Sequence, residues 1–350
     1  MRTPDGYAPG DVPSSEPLVV KMKTQRSIRI ARIRQERCKM AFVVRPFPEW
    51  SWSQSRDQLF RECPRKYYYH YYASHNGWQR EASEEAQAAY RLKQLANLYL
   101  VMGDELHQIA EHLLQRWEEQ AGDAAADELV ERLRRRLNQA FLDSRDVPRW
   151  KRAPKKSTML HEMYYIGELP QDRVEKIKRR LRVCVDGLLR SLTWRELTAS
   201  PSMRIAEVEQ LRTFEVEGTP VYVKMDALLE DRSRERPWIM VDWKTGMEDE
   251  KNEEQLILYA IYLGEQAGIP PEQLELRVEY LLTGETKTVY ADQADMERVR
   301  EAMSRSMAAM KACLADPERN APKPKEAFAS RPSRAVCAGC NFRELCEEKA

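Results

Sequence analysis

The chain has 350 residues, with 57 Lys and Arg against 56 Asp and Glu for a net charge of +1, 42% hydrophobic and 32% charged residues, and seven cysteines. That balance excludes wholesale disorder and a membrane bundle, since no run approaches the roughly 18 to 20 consecutive apolar residues of a spanning helix. No apolar h-region follows Arg2, so a cytoplasmic, reducing location is expected, where an odd set of seven cysteines does not make a disulfide framework.

Residues 1–45 read as a basic, flexible tail in which Lys21, Lys23, Arg26, Arg29, Arg32, Arg34, Arg37 and Lys39 face only Glu36. Such a run is usually solvated, and it also suits an anionic polymer. The stretch 46–350 reads as one domain. It opens with the aromatic-rich segment WSWSQSRDQLFRECPRKYYYHYY, where Ser53 or Ser55 can cap a helix carrying Leu59, Phe60 and Cys63. Leu95, Leu98, Met102, Leu106, Ile109 and Leu113 keep helical spacing within a tract from about 83 to 120. Helices over about 123–143 and 171–197 follow, separated by a loop containing Pro154, and 123–200 forms a helical insertion.

After Pro201 the period changes. RIAEVEQLRTFEVEG, TPVYVKMDALLED and PWIMVDWKTG read as three strands, with Glu217-Gly218 as a turn signal. NEEQLILYAIYLGEQAG returns to helical spacing and ends at Gly268, LELRVEYLL and ETKTVYA read as a hairpin, and a last helix spans about 292–315. The fold class is therefore α/β, a mixed sheet core flanked by helices, with a cysteine-rich knuckle over 330–350.

Cys38, Cys184 and Cys313 stand alone, and the last two lie in helical runs where a cysteine behaves as a small hydrophobe. Cys337, Cys340 and Cys346 form C-x2-C-x5-C, a turn able to aim three thiolates at one centre, with Cys63 as the candidate fourth ligand. Spacing alone admits zinc as well as iron–sulfur.

Chemistry concentrates between Val221 and Tyr259. Asp242 and Lys244 fall on one face of a strand with Trp243 on the other, and Asp226 precedes them by sixteen residues. Two carboxylates converging with a lysine can hold a hard divalent cation and counter charge on a phosphate, the combination that phosphodiester hydrolysis requires. An isolated D-x-K is more often an exposed cross-strand pair, but here it follows WIMV, a buried-strand pattern in which an unpaired charge is costly. Gln255 and Tyr259 share one face of the next helix, Glu209 offers a third carboxylate with Glu207 as competitor, and His107 lies four residues after Gly103.

On these residues the chain resembles the PD-(D/E)XK nuclease superfamily, and within it the RecB-like branch with an iron–sulfur cluster, including the nuclease domain of AddB and the CRISPR-associated RecB-like exonucleases. The matching features are SQSRDQLFRECPRKYYYHY, Gly103–His107, Asp226, Asp242-Trp243-Lys244, Gln255–Tyr259 and the C-terminal cysteines. The resemblance implies a restriction-endonuclease-like sheet and a Mg²⁺- or Mn²⁺-dependent deoxyribonuclease, with His107, Asp226 and Asp242 as metal ligands. It makes Lys244 the catalytic lysine, Glu209 an additional acid, and Gln255 and Tyr259 supporting or DNA-facing residues. Cys63, Cys337, Cys340 and Cys346 would hold a 4Fe–4S cluster, with zinc the alternative. Where many relatives have a glycine three residues before the hairpin aspartate, this chain has Val223.

The implied partner is DNA, single-stranded or with free ends, in recombination, repair or defence. A helicase or other DNA-processing protein would supply any motor, since no Walker motif occurs. Basic runs at 132–139, 149–156 and 175–184 flank an acidic run at 247–254, a distribution that would hold phosphates beside a metal pocket. The alternative is a non-catalytic DNA-binding or assembly module that retains the fold.

Overall fold

The computed structural model describes residues 44–117 and 125–348, so nearly all of the basic tail, Cys38 included, lies outside the described residues. Helix α1 (Gln54–Glu62) starts at Ser53, whose hydroxyl accepts from Arg56 N at 3.2 Å, and it meets α2 (Pro64–Tyr68) at Cys63. Pro64 at the first helical position needs no N–H partner there. The tyrosine run continues as a π-turn, Tyr69–Ala73, with Tyr67, Tyr69 and Tyr72 buried.

The tract expected as one helix from 83 to 120 divides into α3 (Glu84–Leu92) and α4 (Leu98–Gln115), separated by β1 (Leu95–Ala96). Asn97 accounts for the division. Its side chain accepts from Leu100 N at 3.0 Å and starts a new helix, since Asn favours the cap over the helix interior. After α5 (Ala126–Ser144) and α6 (Val147–Arg152), β2 (Met159–Leu160) pairs in parallel with β1, and α7 (His161–Tyr165) follows. The helix expected over 171–197 likewise divides into α8 (Gln171–Leu189) and α9 (Leu192–Ala199) where Ser191 caps the second.

Strands β3 (Arg204–Val208), β4 (Leu211–Val216), β5 (Thr219–Lys224), β6 (Ala227–Glu230) and β7 (Trp238–Lys244) precede α10 (Lys251–Tyr262). Then come β8 (Leu274–Tyr280), β9 (Glu285–Val289), α11 (Gln293–Lys311), β10 (Leu314–Asp316), β11 (Ala321–Pro322) and α12 (Arg334–Ala338). Five strands form one mixed sheet in the order β3-β6-β7-β8-β9, antiparallel except for β7 with β8, while β4 and β5 form a separate antiparallel pair. The two strands read as continuous through 204–218 and 219–231 thus each break, at Glu209 and at Asp226. Glu209 is in the left-handed region with φ 52°, and its N–H donates to Asp226 O at 3.0 Å.

Helices cover both faces of the sheet, as the sequence led one to expect. Met240, Leu276 and Val278 join Leu258 of α10 and Met303 of α11 in one core, while Val241 and Trp243 join Ile109 of α4 and Leu181 of α8 in the other. Gly187 of α8 has no room for a side chain, since a Cβ there would lie 2.1 Å from Leu281 O. Among the described residues no helix is long and apolar enough to cross a membrane.

Candidate active site and cysteine pocket

The two strand breaks build the site. By bending at adjacent points, the chain sets Glu209 and Asp226 side by side at the end of the main sheet. Helix α4 buries Leu98, Val101, Met102, Leu106 and Ile109, which turns His107 toward those carboxylates. His107 Nδ1 lies 3.3 Å from Glu209 Oε1 and 3.3 Å from Asp226 Oδ1, and one ligand atom from each of the three falls within 4.8 Å of the others. A Cβ on Gly103 would sit 3.4 Å from Thr245 Oγ1, so the glycine marks where α4 closes on the end of β7. Two carboxylates and an imidazole suit a divalent cation.

Asp242 and Lys244 adjoin this group. Lys244 Nζ is 2.6 Å from Asp242 Oδ2, whose residue is 2% exposed, and Trp243 N donates to Asp226 Oδ2 at 2.7 Å. Glu209 completes the three-residue group with His107 and Asp226, and Asp242, expected as a ligand, lies beside it against the lysine. Lys224, which belongs to none of the motifs, pairs with Glu209.

Gln255 and Tyr259 line up on α10 and hold the lysine from behind. Lys244 Nζ donates to Gln255 Oε1 at 3.1 Å, Gln255 Nε2 donates to the Tyr259 hydroxyl, and that hydroxyl donates to Lys224 O at 2.7 Å. Tyr259 is 2% exposed, so it braces the lysine from inside the core. Beneath Trp243 lies a buried polar layer that sequence reading missed: Glu279 accepts from Trp243 Nε1 at 2.7 Å, Thr193 N at 2.8 Å and Thr193 Oγ1 at 2.9 Å. No local signal marks it, since Glu275, Arg277 and Glu279 alternate along β8 as a solvated face would, although every residue of the strand is buried.

Electrostatics follow from crowding charge at a dry strand end. Burial opposes a charge on His107, but Asp226 and Glu209 outweigh it and raise its pKa to about 10. Burial also works against the Asp226 carboxylate, yet His107 and Lys244 hold it below the usual range. Asp242 goes the other way: burial, with Asp226 adding, pushes it up to about 6 against the opposition of Lys244. Lys244 is raised because Asp242 outweighs the cost of burial. A pair of carboxylates driven apart in this way is a common mark of an active site.

The four expected cysteines line one pocket although Cys63 is some 270 residues away in the chain, and Tyr69 and Phe342 line it with them. Those two rings stack at 5.7 Å, and the Tyr69 hydroxyl donates to Leu345 O at 2.7 Å. Asn341 Nδ2 donates to Leu95 O at 3.0 Å, tying the C-terminal turn to β1. Burial raises the Cys340 thiol to about 11, with Cys63 and Cys346 adding to the rise. A bound cation or cluster offsets the cost of ionising a buried thiol such as Cys340, so four cysteines lining one pocket fit a sulfur-ligated group. Cys184 is buried in a core and Cys313 is half-buried, both away from this pocket.

Residues 51–347 match the family model of the PD-(D/E)XK nuclease superfamily. No curated protein matches. Among solved structures, the crystal structure of SSO0001 is 14% identical, covers 71% of this chain and 98% of that chain, and has a TM-score of 0.27, a likeness that bears no weight.

Proposed function

Because this chain belongs to the PD-(D/E)XK nuclease superfamily, whose members point to metal-dependent nuclease activity, we propose that it is a Mg²⁺- or Mn²⁺-dependent deoxyribonuclease. Its substrate is single-stranded DNA or DNA ends, and it falls in the RecB-like exonuclease branch of the superfamily. The observation that carries this reading is the convergence of His107, Glu209 and Asp226 beside the Asp242–Lys244 pair. His107, Glu209 and Asp226 would hold the ion, with Asp242 alongside. Bound there, it supplies positive charge against the phosphate and acidifies a water.

The chain's own residues do the rest. Lys244, fixed by Asp242 and Gln255, offers its ammonium to an anionic phosphate oxygen and to the attacking water, so it arrives charged and oriented before substrate binds. Tyr259 keeps Gln255, and through it Lys244, from swinging, and the N–H of Trp243 fixes Asp226. Cleavage of single- and double-stranded DNA with Mg²⁺ or Mn²⁺, abolished by EDTA and by Lys244→Ala, is the expected result. Strong DNA binding without cleavage under either ion would leave the assembly-module reading in its place.

We propose further that Cys63, Cys337, Cys340 and Cys346 hold a 4Fe–4S cluster that ties the C-terminal turn to the start of the domain. The shared pocket supports it. Purified protein should carry iron and sulfide and absorb visible light, both lost in Cys340→Ser; colourless protein with stoichiometric zinc would overturn it.

A further inference from the structure

Part of the positive charge in the basic runs that the sequence offers for DNA is neutralised by the fold. Arg132 pairs with Glu105, Arg134 with Glu131, Lys178 with Glu175, and Arg182 with both Asp127 and Asp186. Lys155 of the 149–156 run, with Arg56 and Lys93, has no carboxylate partner among the described residues, although Arg56 Nη1 donates to Ser51 O and to Ser51 Oγ at 2.8 Å. Arg56 Cζ sits 4.0 Å from the centre of the Tyr71 ring and Lys93 Nζ 5.2 Å from the same centre, while Lys155 Nζ lies 5.8 Å from the Tyr90 ring. Tyr90 in turn is 6.0 Å from the ring of Trp78, which is 46% exposed.

Two of these cations are substantially buried: Arg56 is 6% exposed and Lys93 is half-buried. Burial, then Arg56 and Lys155, bring the Lys93 ammonium down to about 8, and no carboxylate acts on it. The neighbouring His70 is driven to about 3 by burial together with Lys93, Arg56 and Lys66. Gathering like charges around aromatic rings costs free energy in the unliganded protein, and an anionic ligand reverses the sign of that cost. Cations that neutralise phosphates, interleaved with rings on which bases stack, are what a single nucleic-acid strand requires.

We propose that Arg56, Lys93 and Lys155, with Tyr71, Tyr90 and Trp78, form a holding face for single-stranded DNA outside the metal centre. The face shares its footing with both sites already described. Leu92, beside Lys93, packs with Tyr69, Trp150 and Phe342 in the small core that the cysteine turn closes. Lys93 also lies five residues before the start of α4, the helix that carries His107, so a strand gripped here lies at the N-terminal end of that helix. This inference rests on the nuclease reading for its substrate class, and it assigns the path by which the strand is held.

The test is binding of a fluorescein-labelled oligothymidylate to the full chain in EDTA, followed by anisotropy across a salt series, for the wild type, Lys155→Gln and Lys93→Gln/Lys155→Gln. On single strands each lost phosphate contact lowers the slope of log K against log salt by about 0.7. The double variant should therefore lose about 1.4 in slope and bind on the order of twentyfold more weakly near 0.1 M salt. Its turnover of thymidine 5′-p-nitrophenyl phosphate, too small to reach the face, should stay that of the wild type. Lys155 is exposed, so the single variant keeps the test valid if the double variant unfolds. Unchanged slope and affinity in a protein that cleaves DNA would overturn the face and leave the nuclease reading intact. Loss of binding as expected, in a protein that cleaves nothing under any ion, would do the reverse; a protein without affinity for DNA overturns both.

Discussion

Replacing Lys244 by Met removes the ammonium while keeping the length and apolar stem of the side chain, and the consequence is set by what it leaves behind. Asp242 is 2% exposed, and its Oδ2 faces the lysine at 2.6 Å. Removing one partner of a buried pair costs roughly 3–5 kcal/mol, because the remaining charge is neither hydrated nor paired. Asp242 has an escape, which is to take up a proton. Its pKa already stands at about 6 with Lys244 opposing the rise, so loss of the lysine raises it further. At pH 8 the unfolded chain and the wild-type fold both hold Asp242 ionised, and the variant must bear an unpaired charge or bind a proton from dilute solution; the loss there is on the order of 3 kcal/mol. At pH 5 Asp242 is already mostly protonated in the wild-type fold, so the loss shrinks below about 1 kcal/mol. Urea unfolding of both proteins in EDTA at the two pH values measures this, and steady-state cleavage of DNA at pH 8 should fall at least about a hundredfold, as for other preorganised charge-stabilising groups. An equal stability loss at pH 5 and pH 8, or turnover within a few-fold of wild type, would refute the assignment of Lys244 and Asp242 as a buried functional pair.

Three other outcomes follow from single contacts. Trp243→Phe deletes the indole donor to buried Glu279 and should cost about 2–4 kcal/mol in urea unfolding, the sum of a charge-assisted hydrogen bond and a small cavity. Gly187→Ala would drive a methyl into Leu281 O and should cost about 1–3 kcal/mol or more, visible as a lowered Tm; an unaffected Tm would mean that α8 slides freely on the sheet end. Mn²⁺ affinity, measured by calorimetry, should climb by up to about tenfold per pH unit between pH 7 and pH 9. An ion must displace the proton that Asp226 and Glu209 hold on His107 up to about pH 10, and a flat profile over that range would show that His107 is not a ligand.

Much of the site was legible before folding because its residues carry local signatures. Asp242 and Lys244 are two apart on a strand that WIMV marks as buried, Gln255 and Tyr259 are four apart on a helix, and three of the cysteines are confined to ten residues. In each case the period of the secondary structure dictates which side chains share a face, so spacing alone brings them together. The placement of Asn97 and Ser191 within helical tracts was also written in the sequence, as cap residues that divide a helix, and was passed over in favour of hydrophobic period.

What the tertiary structure decided is how segments meet. Nothing local to Glu209 selects it over Glu207; the choice comes from a left-handed bend whose N–H finds Asp226 O on another strand, and that long-range contact turns Glu209 toward His107 while Glu207 pairs with Arg212. The same holds for β8. By its alternation that strand reads as having one polar face in water, yet Glu275, Arg277 and Glu279 are buried because Thr193, Glu196, Arg234 and Trp243 arrive from other elements to satisfy them. Several cations of the basic helices that suggested phosphate binding are paired, Arg132 with Glu105 and Arg182 with Asp127 across elements, whereas Lys155 of the 149–156 run meets Arg56 and Lys93 from other elements with no carboxylate partner among the described residues. Periodicity fixes what lies on one face of one element; which charges find a partner across elements is settled by the packing of the whole, since a charge pays or gains according to neighbours the sequence does not place beside it.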